Sequence, residues 1–441
     1  ANMADKIYLT PTGNLDWAGY NVEYAFLKGT LEKLDIEPQV FYAGKFKSAT
    51  EPLRSDRMTP ENKLQTTVWI NDLYNDLLMK TTETRKVDTG TLHQLANLNR
   101  IQTAGDALTN KLVDGLKYDD EFRDEIRQKL GDEKGATIDF VTIGTYMEAG
   151  GFVKSYGQKI ALIYAEGDIV EGKGFDGMIG SETYRALIRK ARTDKSIKAI
   201  VFRVNSGGGS SLASDEIWRE LSLAKKEKPV VVSFGDVAAS GGYYISCAAD
   251  SIFCLPSTIT GSIGVFGIVP NMQGFFKNKL GITFDGVGTA PYADAGAPYR
   301  PMKEEEKKMI QASIDTIYDQ FKQRVAGGRK KDIAYIESIA QGRVWTGFQA
   351  INNGLVDKFG GLQDAVECAA RMAKIENFSL VEFPEPINIF DRLLKRSNPF
   401  IQEQLKKEMG EENYQVYQEL KQVKEMTNKV QARLPFRFFI H

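Results

Sequence analysis

Residues 229–244 read Pro-Val-Val-Val-Ser-Phe-Gly-Asp-Val-Ala-Ala-Ser-Gly-Gly-Tyr-Tyr, and this stretch decides the fold. The apolar run 229–234 predicts a buried β-strand, and the glycine and small residues after it predict a turn into a helix. Ser240 then lies where the helix begins, in the field of free backbone N–H groups. The glycines that follow leave room for a substrate backbone. Two interpretations of Ser240 stay open at this point, a nucleophile or a helix N-cap.

The composition limits the possible function classes. A chain of 441 residues with 42% apolar and 26% charged residues predicts a soluble globular protein of two or more domains. The formal net charge of -1 gives no electrostatic reason to expect a nucleic-acid partner. The three cysteines lack metal-ligand spacing, so neither a disulfide framework nor a metal or other cofactor is predicted.

Histidine is scarce in this chain. The two histidines are His93, in a polar position of a predicted helix, and His441, the last residue of the sequence. We expect His93 to be a surface residue. A Ser-His-Asp triad is therefore not expected, and a nucleophilic Ser240 would need another base, for which lysine is the usual substitute.

The chain contains an internal duplication. Residues 4–11 match residues 249–256, the helix predicted over 59–82 matches a later one with apolar residues at the same spacing, and residues 100–103 match 343–346. The separation between the matching blocks stays at 243 to 245 residues. Such a constant offset predicts two copies of one fold.

The second copy contains a region, about residues 158–248, that the first copy lacks. We expect the sequence to be a fragment, since half a domain would leave sheet edges unpaired. The region alternates strands at 159–164, 197–204 and 229–234 with helices at 181–192 and 212–225. This alternation predicts an α/β fold with parallel strands whose C-terminal ends carry the site.

A glycine-rich loop and two lysines supply candidates for the remaining chemistry. Residues 205–210 read Asn-Ser-Gly-Gly-Gly-Ser, and their N–H groups could hold an oxyanion. A phosphate loop is the rival interpretation, but the Gly-Lys-Ser/Thr ending is missing; a merely structural turn stays open. Lys45 and Lys47 lie in the first copy and have no counterpart in the second, and strand parity cannot choose between them. Ser262, after the next strand, could hold a neutral lysine.

Three motifs together resemble the signal peptide peptidase A (protease IV) family, in its long, duplicated bacterial form. They are residues 204–210, residues 238–243 (Ala-Ala-Ser-Gly-Gly-Tyr) and residues 256–264 (Pro-Ser-Thr-Ile-Thr-Gly-Ser-Ile-Gly), and the resemblance extends to about residue 391. It implies tandem domains of the Clp protease/crotonase superfold. The boundaries expected are 1–135 for the partial first repeat, 136–157 for a linker, 158–397 for the second repeat and 398–441 for a helical tail.

The resemblance also implies the roles of individual residues. Ser240 corresponds to the family's nucleophile, and Lys47, in Phe-Lys-Ser-Ala at 46–49, corresponds to the general base in preference to Lys45. Ser262 is implied as the partner of that lysine. By analogy with Clp protease, the N–H groups of Gly208 and Gly241 would hold the oxyanion. One departure is Gly207, which stands where the family usually has proline.

The function implied is that of a Ser-Lys endopeptidase that degrades remnant signal peptides or other apolar peptides after preprotein processing. The family's location is the bacterial inner membrane, on the periplasmic side, through an N-terminal anchor that this sequence lacks. A homotetramer is implied as well. Two alternatives remain, a crotonase-type acyl-thioester enzyme without a nucleophile and an inactive scaffold that binds apolar segments.

The tail changes character after about residue 398. It is rich in Glu, Gln and Lys, and an apolar stripe predicts a helix to about residue 430. The last stretch, 433–440, is basic and aromatic. We expect this arm to dock on its own domain or on a neighbouring subunit, with contact to a membrane surface as the alternative.

Overall fold

The structure, a computed structural model, describes residues 1–149, 157–385, 410 and 429–434. Its contacts divide the chain into two compact units. One unit combines Ala1–Glu23 with Thr67–Lys154, and the other combines Tyr24–Thr66 with Ser155–His441. The second unit therefore holds both Lys47 and Ser240. The predicted tail helix falls largely outside the described residues.

The strands are numbered in chain order. They are β1 Tyr8–Leu9, β2 Glu37–Ala43, β3 Gly115–Leu116, β4 Gln158–Glu166, β5 Asp168–Val170, β6 Met178–Gly180, β7 Ile197–Ser206, β8 Gly208–Ser210, β9 Val230–Ala239, β10 Ser251–Cys254, β11 Ile259–Gly261, β12 Val265–Asn271, β13 Val344–Thr346, β14 Lys358–Phe359, β15 Phe378–Phe383 and β16 Gln431–Arg433.

The helices are numbered in the same way. They are α1 Lys28–Lys33, α2 Glu51–Arg54, α3 Pro60–Arg85, α4 Thr89–Asn97, α5 Ala104–Thr109, α6 Asp119–Leu130, α7 Ile143–Ala149, α8 Ser181–Thr193, α9 Ser211–Ala224, α10 Gly241–Ser246, α11 Glu304–Arg329, α12 Ile333–Ile339, α13 Gly347–Asn352 and α14 Leu362–Ala373. A short π-helical turn covers Phe275–Lys279.

The larger sheet has the strand order β13-β11-β9-β7-β4-β15, with β10 paired to β9 and β14. All of these neighbours are parallel except β11 and β13. The apolar runs of β4, β7 and β9 are buried on both faces, as expected for parallel strands covered by helices. The predicted α/β class is confirmed. Strand β9 runs on to Ala239, so the strand itself carries the chain to Ser240.

A second sheet in the same unit has the order β2-β12-β16-β8-β5-β6. Strand β2 runs antiparallel to β12 from the Val265–Ala43 pair to the Asn271–Glu37 pair. Buried Phe266 and Ile268 of β12 pack with Leu53 behind this pairing. A segment of the first repeat is thereby built into the fold of the second, which brings Lys47 to the same unit as Ser240.

The other unit has a small core of its own. Its parallel strands β1 and β3 pair Tyr8 with Gly115 and Leu9 with Leu116. The buried side chains of this core belong to the end of α3 and to the helices and loop that follow it: Leu78, Leu92, Leu95, Ile101, Ala107, Leu112 and Val113.

The tandem repeat is confirmed in detail. Strand β10 pairs in parallel with β14 just as β1 pairs with β3. In one repeat the Asp114 carboxylate accepts from the Ile7 N–H at 2.7 Å, and in the other Asp357 accepts from Ile252 at 2.8 Å. The matching helices α3 and α11 each have 26 residues. The same local structure thus recurs at the predicted offset.

Candidate active site

Ser240 lies at the sharp turn between β9 and α10. Its backbone has φ 54° and ψ −116°, a region that non-glycine residues rarely occupy. Its N–H donates to the Gly261 carbonyl at 2.8 Å, and its carbonyl accepts from the Tyr244 N–H at 2.8 Å. Such strain persists only where the surroundings impose it, and it is concentrated at functional sites. Ser240 occupies the N-cap position of α10, but its side chain makes no capping hydrogen bond, so its hydroxyl is not engaged in holding the helix end.

Lys47 is fully buried beside this serine. Its Nζ lies 2.7 Å from the Ser240 Oγ, although 193 residues separate the two in the chain. The same Nζ donates to the Ser262 carbonyl at 3.2 Å and lies 3.1 Å from the Ser262 Oγ. A neutral amine has two N–H donors and one lone pair. With the two N–H groups directed at the two oxygens of Ser262, the lone pair faces the Ser240 hydroxyl and can accept its proton.

Burial controls the protonation of Lys47. The side chain is only 1% exposed, and desolvation lowers its pKa well below the ordinary value of 10.5. Removal of water penalises the charged ammonium and favours the neutral amine. Lysine acts as a general base only in that neutral form, so its environment suits that task.

Ser262 contacts the same amine through both its carbonyl and its hydroxyl oxygen. It follows β11 in a turn with φ 50°, and its N–H donates to the Arg343 carbonyl at 2.7 Å. Because β11 and β9 are parallel neighbours, Gly261 pairs with Ala239, the residue before Ser240. The two serine-bearing turns therefore sit side by side at the ends of adjacent strands.

The buried side chain of Gln65 fixes the turn that carries Lys47. Its Nε2 donates to the Phe46 carbonyl at 3.1 Å and to the Ser48 Oγ at 3.0 Å. Its Oε1 accepts from the Val344 N–H of β13 at 3.1 Å. One amide thus ties both neighbours of Lys47 to the strand beside β11. Sequence reasoning missed Gln65, and no motif marks it.

The Lys47 turn also needs a close approach of two backbones. Gly342 has φ +73°, and a Cβ there would lie 2.7 Å from the Lys47 Cβ. The Phe46 N–H donates to the neighbouring Gln341 carbonyl at 2.8 Å. Glycine at 342 is thus what lets the lysine backbone pack directly against the segment before β13.

The two glycines expected to hold an oxyanion are adjacent. A Cβ on Gly208 would lie only 2.6 Å from the Gly241 N, and Gly208 has φ +102°. In this structure the Gly208 N–H donates to the Ser206 Oγ at 3.1 Å, and that hydroxyl donates to the Gly167 carbonyl at 2.6 Å. The Ser206 hydroxyl therefore orients the loop, and the Gly208 N–H is already hydrogen-bonded to it. It was not singled out from the sequence, although it lies in the glycine-rich motif.

The structure brings together Ser240, Lys47, Ser262, Gly208 and Gly241. Lys45 lies outside this cluster: it is exposed, with its Nζ 5.4 Å from the Phe46 ring centroid. His93 is exposed as expected and lies in the other unit, and His441 falls outside the described residues. Within the described ranges no three His, Cys, Asp or Glu side chains converge as a metal site.

A buried serine hydroxyl in contact with a buried lysine amine defines the class of site used by serine hydrolases with a lysine base. The family model described as Peptidase family S49 matches residues 1–136 and 222–376. This chain belongs to that family.

Three relatives illustrate the similarity. Protease 4 of Salmonella typhi is 37% identical over 89% of this chain and 65% of its own length, and Protease 4 of Haemophilus influenzae is 34% identical over 93% and 69%. The putative signal peptide peptidase SppA of Enterococcus faecium is 34% identical over 51% of this chain and 67% of its own. The chain spans about two thirds of the length of the two Protease 4 relatives.

A helix that crosses a bilayer must be both long and apolar. Among the described residues, no helix meets both requirements.

Proposed function

We propose that this chain carries a Ser-Lys endopeptidase site. The observation that carries the proposal is the 2.7 Å contact between the Lys47 Nζ and the Ser240 Oγ, two side chains that are both buried. Membership of Peptidase family S49 supports the same activity.

The reaction begins when the Ser240 Oγ attacks the carbonyl carbon of a peptide bond. Lys47 accepts the hydroxyl proton as the new C–O bond forms, and Ser262 holds the amine in place. Lys47 then gives the proton to the leaving amine as the C–N bond breaks. Water hydrolyses the acyl-enzyme with the same amine as base, which restores Ser240.

The N–H groups of Gly208 and Gly241 stabilise the negative charge of the tetrahedral intermediate. One donor of this kind lowers the activation free energy of acyl transfer by about 3 kcal/mol. Because the Gly208 amide is bonded to Ser206 Oγ, it must exchange that partner for the oxyanion when substrate binds. The Gly241 amide is at the first position of α10, where a helix leaves its N–H groups without an intrahelical acceptor.

The substrates proposed are extended apolar peptides, including signal peptides left in the membrane after preprotein processing. The name of the Enterococcus faecium relative supports this class. We further propose association with the bacterial inner membrane on its periplasmic side and assembly as a homotetramer. Light scattering after membrane extraction of the protein tests the assembly, and a monomer would contradict it.

A fluorophosphonate probe tests the proposed chemistry directly. We expect covalent labelling of Ser240 in the parent protein, none in Ser240→Ala, and a rate lowered at least 100-fold in Lys47→Ala, since general-base catalysis contributes about 10²–10⁴. Lys45→Ala is the matched control, because this exposed lysine is only two residues away, and its rate should equal the parent's.

The outcomes separate the alternatives. Peptide cleavage that survives both Ser240→Ala and Lys47→Ala would refute the Ser-Lys mechanism. Thioester turnover without a Ser240 adduct would identify a crotonase-type enzyme. Peptide binding without labelling or cleavage would identify a scaffold.

A further inference from the structure

The short segment that carries Lys47 is held at both ends by one helix. Near its start, Gln65 of α3 binds both neighbours of Lys47 through hydrogen bonds of 3.1 and 3.0 Å. At its end stands Glu51, the first residue of α2, whose carboxylate reaches the beginning of the same α3. We call residues 46–51 the lysine segment. The proposed general base thus lies between two attachments to α3.

Glu51 is a buried carboxylate that accepts three hydrogen bonds. Its side chain is in a residue only 1% exposed. The Oε1 accepts from the Thr59 hydroxyl at 2.5 Å, and the Oε2 accepts from the Thr59 N–H at 3.2 Å and from the Asn62 Nδ2 at 2.9 Å. A charge removed from water needs such donors, and a helix N-terminus adds a favourable field. Glu51 therefore ties the end of the lysine segment to the first turn of α3.

Asn62 joins the two attachments into one network. Its Nδ2 donates to Glu51, and its Oδ1 accepts from the Gln65 Nε2 at 3.3 Å and from the Thr66 hydroxyl at 3.4 Å. Asn62 and Gln65 are three residues apart on α3 and so share a face of the helix. Because a carboxylate only accepts, Glu51 fixes which way the Asn62 amide points. That amide in turn supports the Gln65 amide, which holds the turn of Lys47.

The second repeat has no counterpart of Lys47, and it carries other residues at the positions of this network. Helix α11 is the counterpart of α3, at an offset of 244 residues. The three positions are taken by Ala297 for Glu51, Glu306 for Asn62 and Met309 for Gln65. Met309 is exposed, and Glu306 pairs with Arg300 instead. A helix of the same length thus forms without the network, which accompanies the lysine and not the fold of the repeat.

We propose that Glu51 and Asn62 are positioning residues for the general base, and that with Gln65 they hold the lysine segment against α3. This inference rests on the proposed Ser240–Lys47 function. The two residues act through Gln65 and the backbone of the turn. If the segment loosens, the Lys47 amine moves away from the Ser240 hydroxyl, and a small displacement is enough to weaken a hydrogen bond and slow proton transfer. Water also reaches the amine and favours its charged form.

Four variants separate this role from others. Asn62→Asp is isosteric, but it replaces the donor to Glu51 with a second carboxylate, and the two repel each other. Glu51→Ala removes the acceptor. Glu51→Gln is the conservative variant, since its amide oxygen can accept from Asn62 while its NH₂ group donates to the Thr59 hydroxyl. Glu61→Ala is the matched control, because this glutamate precedes Asn62 on the same helix and makes none of the contacts described above.

The first readout is the rate at which the fluorophosphonate labels Ser240. We expect it to fall about tenfold in Glu51→Ala and in Asn62→Asp, which corresponds to about 1.4 kcal/mol of activation free energy. Glu51→Gln should recover most of the loss, because the hydrogen bonds can form again without the charge. The rate of Glu61→Ala should equal that of the parent.

The second readout needs no catalysis. Reductive methylation with formaldehyde and cyanoborohydride modifies accessible amines, and mass spectrometry compares Lys47 with Lys45 in the same peptide. Lys45 is exposed and should be methylated in every protein, whereas Lys47 is 1% exposed and should be protected in the parent. We expect the ratio of methylated Lys47 to methylated Lys45 to rise about tenfold in Glu51→Ala and Asn62→Asp. It should stay near the parent's value in Glu51→Gln and Glu61→Ala.

Labelling and methylation in Glu51→Ala and Asn62→Asp that equal those of Glu61→Ala would overturn the inference. Slower labelling with Lys47 still protected would overturn it too, since the defect would then lie outside the lysine segment. A raised methylation ratio when even the parent is not labelled at Ser240 would support the network and count against the proposed chemistry. Thermal unfolding shows whether each variant is folded, and if Glu51→Ala is not, the comparison of Asn62→Asp with Glu61→Ala decides the question.

Discussion

Replacing Lys47 with methionine should make the protein inactive and, at neutral pH, more stable. Methionine is unbranched and uncharged and is only one heavy atom shorter than lysine, so it fits the same buried site. The structural basis is the desolvation that lowers the lysine pKa well below 10.5. In the unfolded chain the amine returns to water and takes up a proton, and that proton uptake favours unfolding.

The size of the effect can be worked out from the site. Keeping an amine of ordinary pKa 10.5 neutral in the fold at pH 7 costs at most about 5 kcal/mol, at about 1.4 kcal/mol per pH unit. Methionine also loses the three contacts to Ser240 and Ser262, each worth about 1 kcal/mol. The net gain in the free energy of unfolding at pH 7 is therefore at most about 2 kcal/mol.

The sign of the pH dependence follows from the same linkage. Between the lowered folded pKa of Lys47 and 10.5 the unfolded chain binds a proton that the folded chain does not, so the parent becomes more stable as the pH rises toward 10.5. Lys47→Met lacks this dependence. In that range the two stability curves should converge by about 1.4 kcal/mol per pH unit, and the parent should become the more stable protein at the alkaline end.

Urea unfolding at several pH values between 6.5 and 10, followed by circular dichroism, measures this difference. Lys45→Met serves as the control, because Lys45 is exposed, and its difference from the parent should not change with pH. A constant difference between Lys47→Met and the parent across this range would refute the argument that burial keeps Lys47 neutral.

Three further predictions concern the support of the site and the stability of the fold. Ser262→Ala should slow fluorophosphonate labelling of Ser240 about fivefold, since the amine loses a hydrogen bond worth about 1 kcal/mol, and an unchanged rate would remove Ser262 from the site. Gln65→Ala should slow labelling by a similar factor and lower the free energy of unfolding by about 2 kcal/mol, because the Val344 N–H stays buried without a partner and the Phe46 carbonyl keeps only the Ser48 N–H. Gln65→Glu, whose carboxylate cannot donate to that carbonyl, should not restore the rate. Glu220→Ala, remote from the site, should destabilise the fold by about 2 kcal/mol in urea and leave the labelling rate of the folded protein unchanged.

The choice between Lys45 and Lys47 shows where sequence periodicity stops being useful. Parity on a strand puts residues i and i+2 on one face and so cannot separate these lysines. In the structure β2 ends at Ala43, and Gly44 turns the chain with φ +103°. The two lysines are therefore not on a strand, and one points to water while the other is buried. The family resemblance had favoured Lys47, and the burial gives the physical reason.

The placement of residues 430–434 was only partly foreseen from the sequence. A basic and aromatic stretch after residue 433 predicts an arm that docks somewhere, but it does not predict a strand at Gln431–Arg433. Short strands have little intrinsic preference for the β conformation. This strand exists because β8 lies on one side of it and β12 on the other, and each presents a free edge to it. Gln65 was missed for a similar reason, since a glutamine on a helix has no local pattern that reveals its tertiary partners.

The sequence by itself determined the α/β class, the repeat offset and the strand-turn-helix that carries Ser240, because these depend on local apolar patterns and on glycine at fixed positions. It also argued against a histidine base, because the chain has only two histidines and neither lies near the serine motif. Only the tertiary structure decided that Lys47 meets Ser240 across 193 residues and that Ala432 lies close to Gly208 and Gly241. Both contacts arise from strand pairing between distant segments, and the depressed pKa of Lys47 arises from burial, which no local stretch of sequence encodes.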